Sequence, residues 1–138
     1  MGKDMDRWLG DGGMPVIAAI GGSIDTYGEG WCEGKWVPTK MACNPHDGVQ
    51  AGVYAVMLDA AMNFATNSAL ERGESGATIS ITYSTMRGAK AGEELAVRGE
   101  VVRLARQIAY LQTTITNAEG HTVSTATGTF ILRRRERE

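Results

Sequence analysis

The sequence predicts an α+β fold: an antiparallel sheet curled around a single long helix. Three observations lead there. Residues 48–70 have the composition of a helix and are apolar at nearly every angle. The segments after them alternate apolar and polar residues with the period of a strand. The order of strands, one helix and then a run of strands is not the βαβ alternation of a parallel sheet. A chain of 138 residues makes one domain, 1–138, with a substantial core.

Taken in order, residues 1–13 read as a short N-terminal helix or arm. Met5, Trp8 and Leu9 lie on one side, and Gly10, Gly12, Gly13 and Pro15 break it. Residues 16–37 are glycine-rich and carry β-type side chains: Ile17, Ile20, Ile24, Tyr27, Trp31, Trp36 and Val37. They are expected to form two strands joined by a turn near Gly28-Glu-Gly30. Residues 38–47 follow as a loop, with Asn44-Pro45 as its turn signal.

The central helix is rich in Ala, Leu and Met, has no proline, keeps its glycines at its start and closes by Gly73. It is too short and too rich in Ala and Asn for a membrane span. A flat sheet cannot bury a helix that is apolar all round, so the sheet must curl or a second subunit must cover the rest. After the helix, Ala77-Thr-Ile-Ser-Ile-Thr-Tyr83 alternates, with Ile79, Ile81 and Tyr83 on one face and Thr78, Ser80 and Thr82 on the other. Gly88-Ala-Lys-Ala-Gly92 is a loop. Residues 95–104, 108–116 and 122–132 are further strands, and Asn117-Ala-Glu-Gly120 is a hairpin turn.

A net charge of -2 and a pI near 5.7 argue against nucleic-acid binding by general electrostatics. The tail, residues 133–138, mixes Arg133, Arg134, Arg135 and Arg137 with Glu136 and Glu138, and reads as the solvated end of the last strand. The two cysteines, Cys32 and Cys43, are not in a C-x-x-C spacing and the chain has only two histidines, so no tetrahedral zinc site is expected within one chain. The opening Met1-Gly-Lys-Asp-Met-Asp-Arg-Trp-Leu9 is too charged for the apolar core of a signal peptide. A cytoplasmic protein with reduced thiols and no membrane partner is expected.

Within the helix sits one carboxylate, Asp59, about two turns from its start. A carboxylate in apolar surroundings costs several kcal/mol unless paired or neutralised, which marks it as a residue with a task. Helical spacing sets it in line with Gly52, Val56 and Asn63, a line of small and polar residues suited to bordering a crevice. The helix N-terminus is the second feature, because its first N–H groups lack partners and carry partial positive charge.

From Asn44 onward the residues resemble the PaaI-type hotdog-fold acyl-CoA thioesterases of the 4-hydroxybenzoyl-CoA thioesterase-like superfamily. The resemblance lies in Asn44-Pro-His-Asp-Gly-Val-Gln-Ala-Gly-Val-Tyr-Ala-Val-Met-Leu-Asp59 and in Gly76-Ala-Thr-Ile-Ser-Ile-Thr-Tyr83. It continues through the loop 88–92 and Gly120-His-Thr-Val-Ser-Thr-Ala-Thr-Gly-Thr-Phe130. Where many members carry His-Gly-Gly at the helix start, this chain has Gln50-Ala51-Gly52, a departure that bears on acyl preference.

The resemblance implies hydrolysis of an acyl-CoA without metal or redox cofactor, coenzyme A entering only as part of the substrate. It implies Asp59 as general base or nucleophile, the Ala51 amide and the Asn44 side chain as oxyanion donors, and Gln50 holding a substrate carbonyl or a water. Thr78 would orient the attacking water. Arg87, Lys90, Arg103 and Arg106 would meet the phosphates of coenzyme A. Active sites would lie between subunits of a dimer or a dimer of dimers. The residues themselves leave competing roles open: Asn44 as the cap of its own turn, Asp59 satisfied by a neighbouring strand, Thr78 as one strand threonine among many, the cations as solvated charges. His46 and His121 read as surface or turn histidines; Tyr54, Phe64 and the methionines read as core. Two other functions compete: an enoyl-thioester hydratase, which lacks a histidine after Asp59, and a non-catalytic acyl-CoA binding module.

Overall fold

The computed structural model describes residues 2–135. Its elements in chain order are α1 (Pro15–Ala19), β1 (Gly22–Gly28), β2 (Trp31–Trp36), α2 (Ala51–Ser68), β3 (Ser75–Thr85), β4 (Leu95–Leu104), β5 (Ile108–Asn117) and β6 (Thr122–Arg133). The strands form one antiparallel sheet in the order β1-β2-β4-β5-β6-β3. Its concave face holds α2. Met57, Leu58, Met62 and Phe64 of the helix and Trp36, Leu111, Ile115 and Phe130 of the sheet are almost wholly removed from water, each contributing roughly 1.5–3 kcal/mol of burial. Among the described residues no helix is long and apolar enough to cross a membrane.

The helix approaches β4 so closely that only a glycine fits beneath it. A Cβ added at Gly99 would stand 2.8 Å from the carbonyl oxygen of Ala61. The helix is shorter at its start than its composition suggests. Gly48 pairs with Lys90 and the Val49 N–H donates to Ala89 O, so these residues are extended and the first turn waits until Ala51. The sheet covers most of the helix circumference. What stays accessible is a stripe through Gly52, Val56, Asp59, Asn63 and Asn67.

The N-terminal third departs from expectation. Residues 15–19 are helical where a strand was expected, because Pro15 at the first helical position presets the turn. Ile17 and Ile20 then fall three apart on one buried face, and Ile20 O receives the Trp36 indole N–H at 2.9 Å. The expected helix of residues 3–9 is one 3-10 turn, Asp6–Trp8, inside an arm held by backbone bonds. Gly2 pairs with Glu71, the Lys3 N–H donates to Leu70 O, and Gly10 pairs with Ile24. The β1–β2 turn lies where expected, with Gly30 at φ +81°.

The basic tail is not simply solvated. Arg133 closes β6, but the Arg135 N–H donates to the buried carboxylate of Glu74 at 3.0 Å. Arg134 Nε lies 3.7 Å from the same carboxylate, and Arg134 Nη1 donates to Ala105 O. Residues 136–138 of that tail lie outside the described residues.

Candidate active site

β3 does not alternate strictly. Its register against β6 slips between Thr78 and Ser80, leaving Ile79 as the extra residue of a β-bulge. A bulge of one residue exchanges the faces of everything on one side of it. Gly76 and Thr78 therefore face the helix before the bulge, and Ile81 and Tyr83 face it after; Ile79 turns outward and is 55% exposed. This corrects the expected grouping of Thr78 with Ser80 and Thr82 and of Ile79 with Ile81 and Tyr83, and its physical cause is the bulge. The Thr78 hydroxyl donates to Asp59 Oδ1 at 2.7 Å.

Asp59 keeps access to solvent along the open stripe, so it is not sunk in hydrocarbon as its apolar neighbours in sequence suggest. Thr78 is its hydrogen-bond partner among the described residues, which leaves Oδ2 open to a reacting group.

The second cluster is the start of α2. Gln50 is its extended N-cap, and its side chain makes no capping bond. The Val53 N–H returns to Gln50 O at 2.9 Å, while the N–H groups of Ala51 and Gly52 have no acceptor among the described residues. Both residues are exposed. Tyr83 braces this end by donating from its hydroxyl to Ala51 O at 2.9 Å. The loop 88–92 is docked beside it, the Ala89 N–H donating to the hydroxyl of buried Tyr54; burial pushes that phenol above its ordinary pKa. Asn44 is adjacent. Its Oδ1 accepts the N–H groups of His46 (2.9 Å) and Gly48 (3.3 Å), which caps the turn and leaves the Nδ2 donors without an acceptor among the described residues. Capping and donating are thus compatible roles for one amide.

The chain brings Asn44, Gln50 and Ala51 together, and separately brings Asp59 and Thr78 together. Eight residues of helix separate Ala51 from Asp59, a rise of about 12 Å. One thioester carbonyl cannot touch both clusters of a single chain. Lys90 lies in the loop 88–92, where it pairs with Gly48, and Arg87 immediately precedes that loop. Arg103 and Arg106 lie at the opposite end, because β4 there joins Gly30, whose N–H donates to Ser68 Oγ at the last turn of α2. All four are exposed. His46 and His121 sit exposed in turns capped by Asn44 and Asn117, as expected. Tyr54 and Phe64 are core. A concavity of about 810 Å³, lined by Asp25, Glu33, Lys35 and Arg98 among others, lies on the outer face of the sheet, away from these groups.

Sequence reasoning missed the bracing role of Tyr83, which its place in an inward strand position could have suggested. Helical spacing placed Asn63 on the line of Asp59, but the continuation to Asn67 and the reach of Lys3 to it were missed, and the latter has no sequence signature.

The sequence from residue 49 to 124 matches the family model of the thioesterase superfamily. A search among curated proteins finds no match at a significant level. Among solved structures the fold is similar to that of a thioesterase from Haemophilus influenzae, with a TM-score of 0.85 and 18% identity over 97% of this chain and 93% of that one. It is similar to a phenylacetic acid degradation-related protein from Ralstonia eutropha (TM-score 0.78, 30% identity, 86% of this chain and 89% of that one). It is also similar to the PaaI protein of the Escherichia coli phenylacetic acid degradation operon (TM-score 0.78, 22% identity, 90% of this chain and 86% of that one). The family match takes in the helix start, Asp59 and Thr78, and the fold agrees along nearly the whole chain: the protein belongs to the thioesterase superfamily and has the hotdog fold of its PaaI-type members.

Proposed function

We propose that the protein hydrolyses an acyl-CoA thioester to the free acid and coenzyme A, in sites shared by two copies of the chain. The observation that carries this reading is the presence of both an accessible carboxylate, held by Thr78, and a helix N-terminus whose first two N–H groups have no acceptor among the described residues. A thioesterase protein from Streptococcus pneumoniae was solved with coenzyme A, and a protein from Streptococcus mutans with acetyl-CoA. That substrate class is carried over here.

The 12 Å separation within one chain calls for a second copy, and β3 supplies the means. It is an edge strand of 11 residues, Ser75–Thr85, without proline or charge. Such an edge is an open template for another strand. Two-fold antiparallel pairing of two β3 strands about Ser80, the strand's midpoint, sets Thr78 of one copy opposite Thr82 of the other. Thr82 adjoins the Tyr83 that braces Ala51, so Asp59 of one copy meets the helix start of the other.

In the reaction the thioester oxygen takes the Ala51 N–H and an Asn44 Nδ2 proton as hydrogen-bond donors. Asp59 accepts a proton from water as the water oxygen bonds to the carbonyl carbon. The tetrahedral intermediate then expels the thiolate, which takes up the proton, and the carboxylic acid leaves. Atoms balance with water as the sole co-reactant, and the steps use no metal or redox group. Gln50 flanks the carbonyl. Arg87 and Lys90 meet coenzyme A phosphates at the rim, and Arg103 and Arg106 join only as the second copy's.

Free-thiol release from a panel of acyl-CoAs, run beside binding without turnover, tests this. Turnover that Asp59→Asn abolishes supports it. Tight binding without turnover would instead make the protein an acyl-CoA binding module, and unchanged turnover in Asp59→Asn would end the assignment to Asp59.

A further inference from the structure

The open stripe of α2 continues past Asp59. One and two turns on it carries Asn63 and Asn67, and the N-terminal arm brings the ammonium of Lys3 across the helix end to meet them. Lys3 Nζ donates to Asn67 Oδ1 at 2.9 Å. Asn67 Nδ2 donates to the main-chain oxygen of Asn63 at 2.9 Å and to its Oδ1 at 3.0 Å.

The direction of this chain is set from its far end. An ammonium has protons to give and no lone pair to offer. Asn67 must therefore turn its oxygen to Lys3 and its NH2 group to Asn63. Asn63 in turn gives its oxygen to Asn67 and retains its own NH2. Side chains on a helix lean over the turn N-terminal to their own Cα. With Oδ1 of Asn63 engaged toward Asn67, Nδ2 is its remaining prong, and Asp59 lies one turn before it on the same face of the helix. Among the described residues Nδ2 has no acceptor, and it makes no direct bond to Asp59. Burial lowers the pKa of Lys3 while Glu74 opposes the shift, so this ammonium is held in place at some cost in hydration.

We propose that Lys3 is a positioning residue of the active site: through Asn67 it locks the Asn63 amide as a hydrogen-bond donor beside Asp59, where Asn63 holds the attacking water. The inference rests on the hydrolase reading above and extends it to the N-terminal arm. A water that accepts one bond from Asn63 and gives one proton to Asp59 keeps a single lone pair, aimed at the carbonyl carbon. A thioester oxygen in the same place would be met by the same donor, but the oxyanion donors at the helix start already serve it.

The test uses the full chain and the best acyl-CoA of the panel, read well below each variant's melting midpoint. Asn63→Ala and Lys3→Met are each expected to lower kcat by roughly tenfold, the effect of one lost hydrogen bond, with KM within about twofold. The double variant is expected to be no slower than Asn63→Ala alone, because both changes remove one interaction. Lys3→Arg, which also only donates, is expected to restore most of kcat. A Lys3→Met enzyme with wild-type kcat, or losses that multiply in the double variant, would reduce the chain to a tie between arm and helix. If Asp59→Asn is inactive while Lys3→Met is not impaired, this inference alone falls; if the unaltered protein turns over no acyl-CoA, the hydrolase reading falls and takes the inference with it.

Discussion

Thr78 reaches Asp59, its hydroxyl 2.7 Å from Oδ1, because β3 bulges at the very next residue. Were Ile79 paired in register, Thr78 would share the outward face of Ser80 and Thr82, since Ile81 and Tyr83 face the helix. The bulge therefore satisfies two demands at once: apolar side chains against the start of the helix and a hydroxyl against its carboxylate.

Thr78→Val keeps the β-branched shape and removes the donor. A hydrogen bond to a charged group is worth roughly 1.5–3 kcal/mol, and this one bears on kcat by fixing the orientation from which the carboxylate meets water. A fall in kcat of roughly tenfold is expected, with Thr78→Ser close to the parent in activity and stability and Thr78→Val less stable by at most the roughly 1.5–3 kcal/mol of the lost bond. Steady-state kinetics beside thermal melts decide it; a Thr78→Val enzyme of full activity would leave the hydroxyl no part in the chemistry.

The residues that were legible in the sequence are those whose signal is local. Ala51–Ser68 announces a helix by composition, and Asp59 stands out because no other charge shares that helix. The later strands follow from alternation. The bulge was invisible, since Ile79 differs in no way from a residue in register, and so the partnership of Thr78 with Asp59 could be reached only by resemblance. Pro15 has the local signature of a breaker, yet it opens α1. Lys3 could not be tied to the site at all: it lies 64 residues from Asn67 and nothing in its own neighbourhood points there.

If each site draws Asp59 from one copy and Asn44 from the other, two inactive variants should repair each other. Asn44→Ala removes the proposed oxyanion donor and should cost a hundredfold or more, about the usual effect of such a loss. Asp59→Asn should cost at least as much. Unfolded together and refolded as an equal mixture, half of the dimers are mixed and each carries one intact site. Activity of about a quarter of the parent's is then expected. A mixture no more active than its components would place both groups on one chain's site or deny the dimer.

Gly99 is the point where sheet and helix touch. Its missing Cβ leaves room for the Ala61 carbonyl, which a side chain would meet at 2.8 Å. Backbone on both sides cannot yield as a flexible side chain would. Gly99→Ala is expected to destabilise the fold by about 1–3 kcal/mol through overpacking, lowering the melting temperature by several degrees. A melt unchanged by the substitution would mean that α2 rides further from β4 than the structure has it.

Cys32 provides a test of the interior by pH. Its thiol is fully buried and donates to Ala61 O at 3.2 Å. Burial pushes its pKa from 9.0 up to about 12. Between those values the unfolded chain has lost a proton that the folded chain keeps. The unfolded state then binds fewer protons, so stability falls as pH rises from about 9 toward 12, by at most about 1.4 kcal/mol per pH unit, and the group contributes no dependence below 9. Denaturant midpoints of the parent should therefore decline more steeply above pH 9 than those of Cys32→Ala, even though the variant starts lower for want of packing. At pH 8, iodoacetamide should label half-buried Cys43 and reach Cys32 only after unfolding. Parallel pH curves for the two proteins, or prompt alkylation of both cysteines in the native state, would show that water reaches the seam between α2 and the sheet.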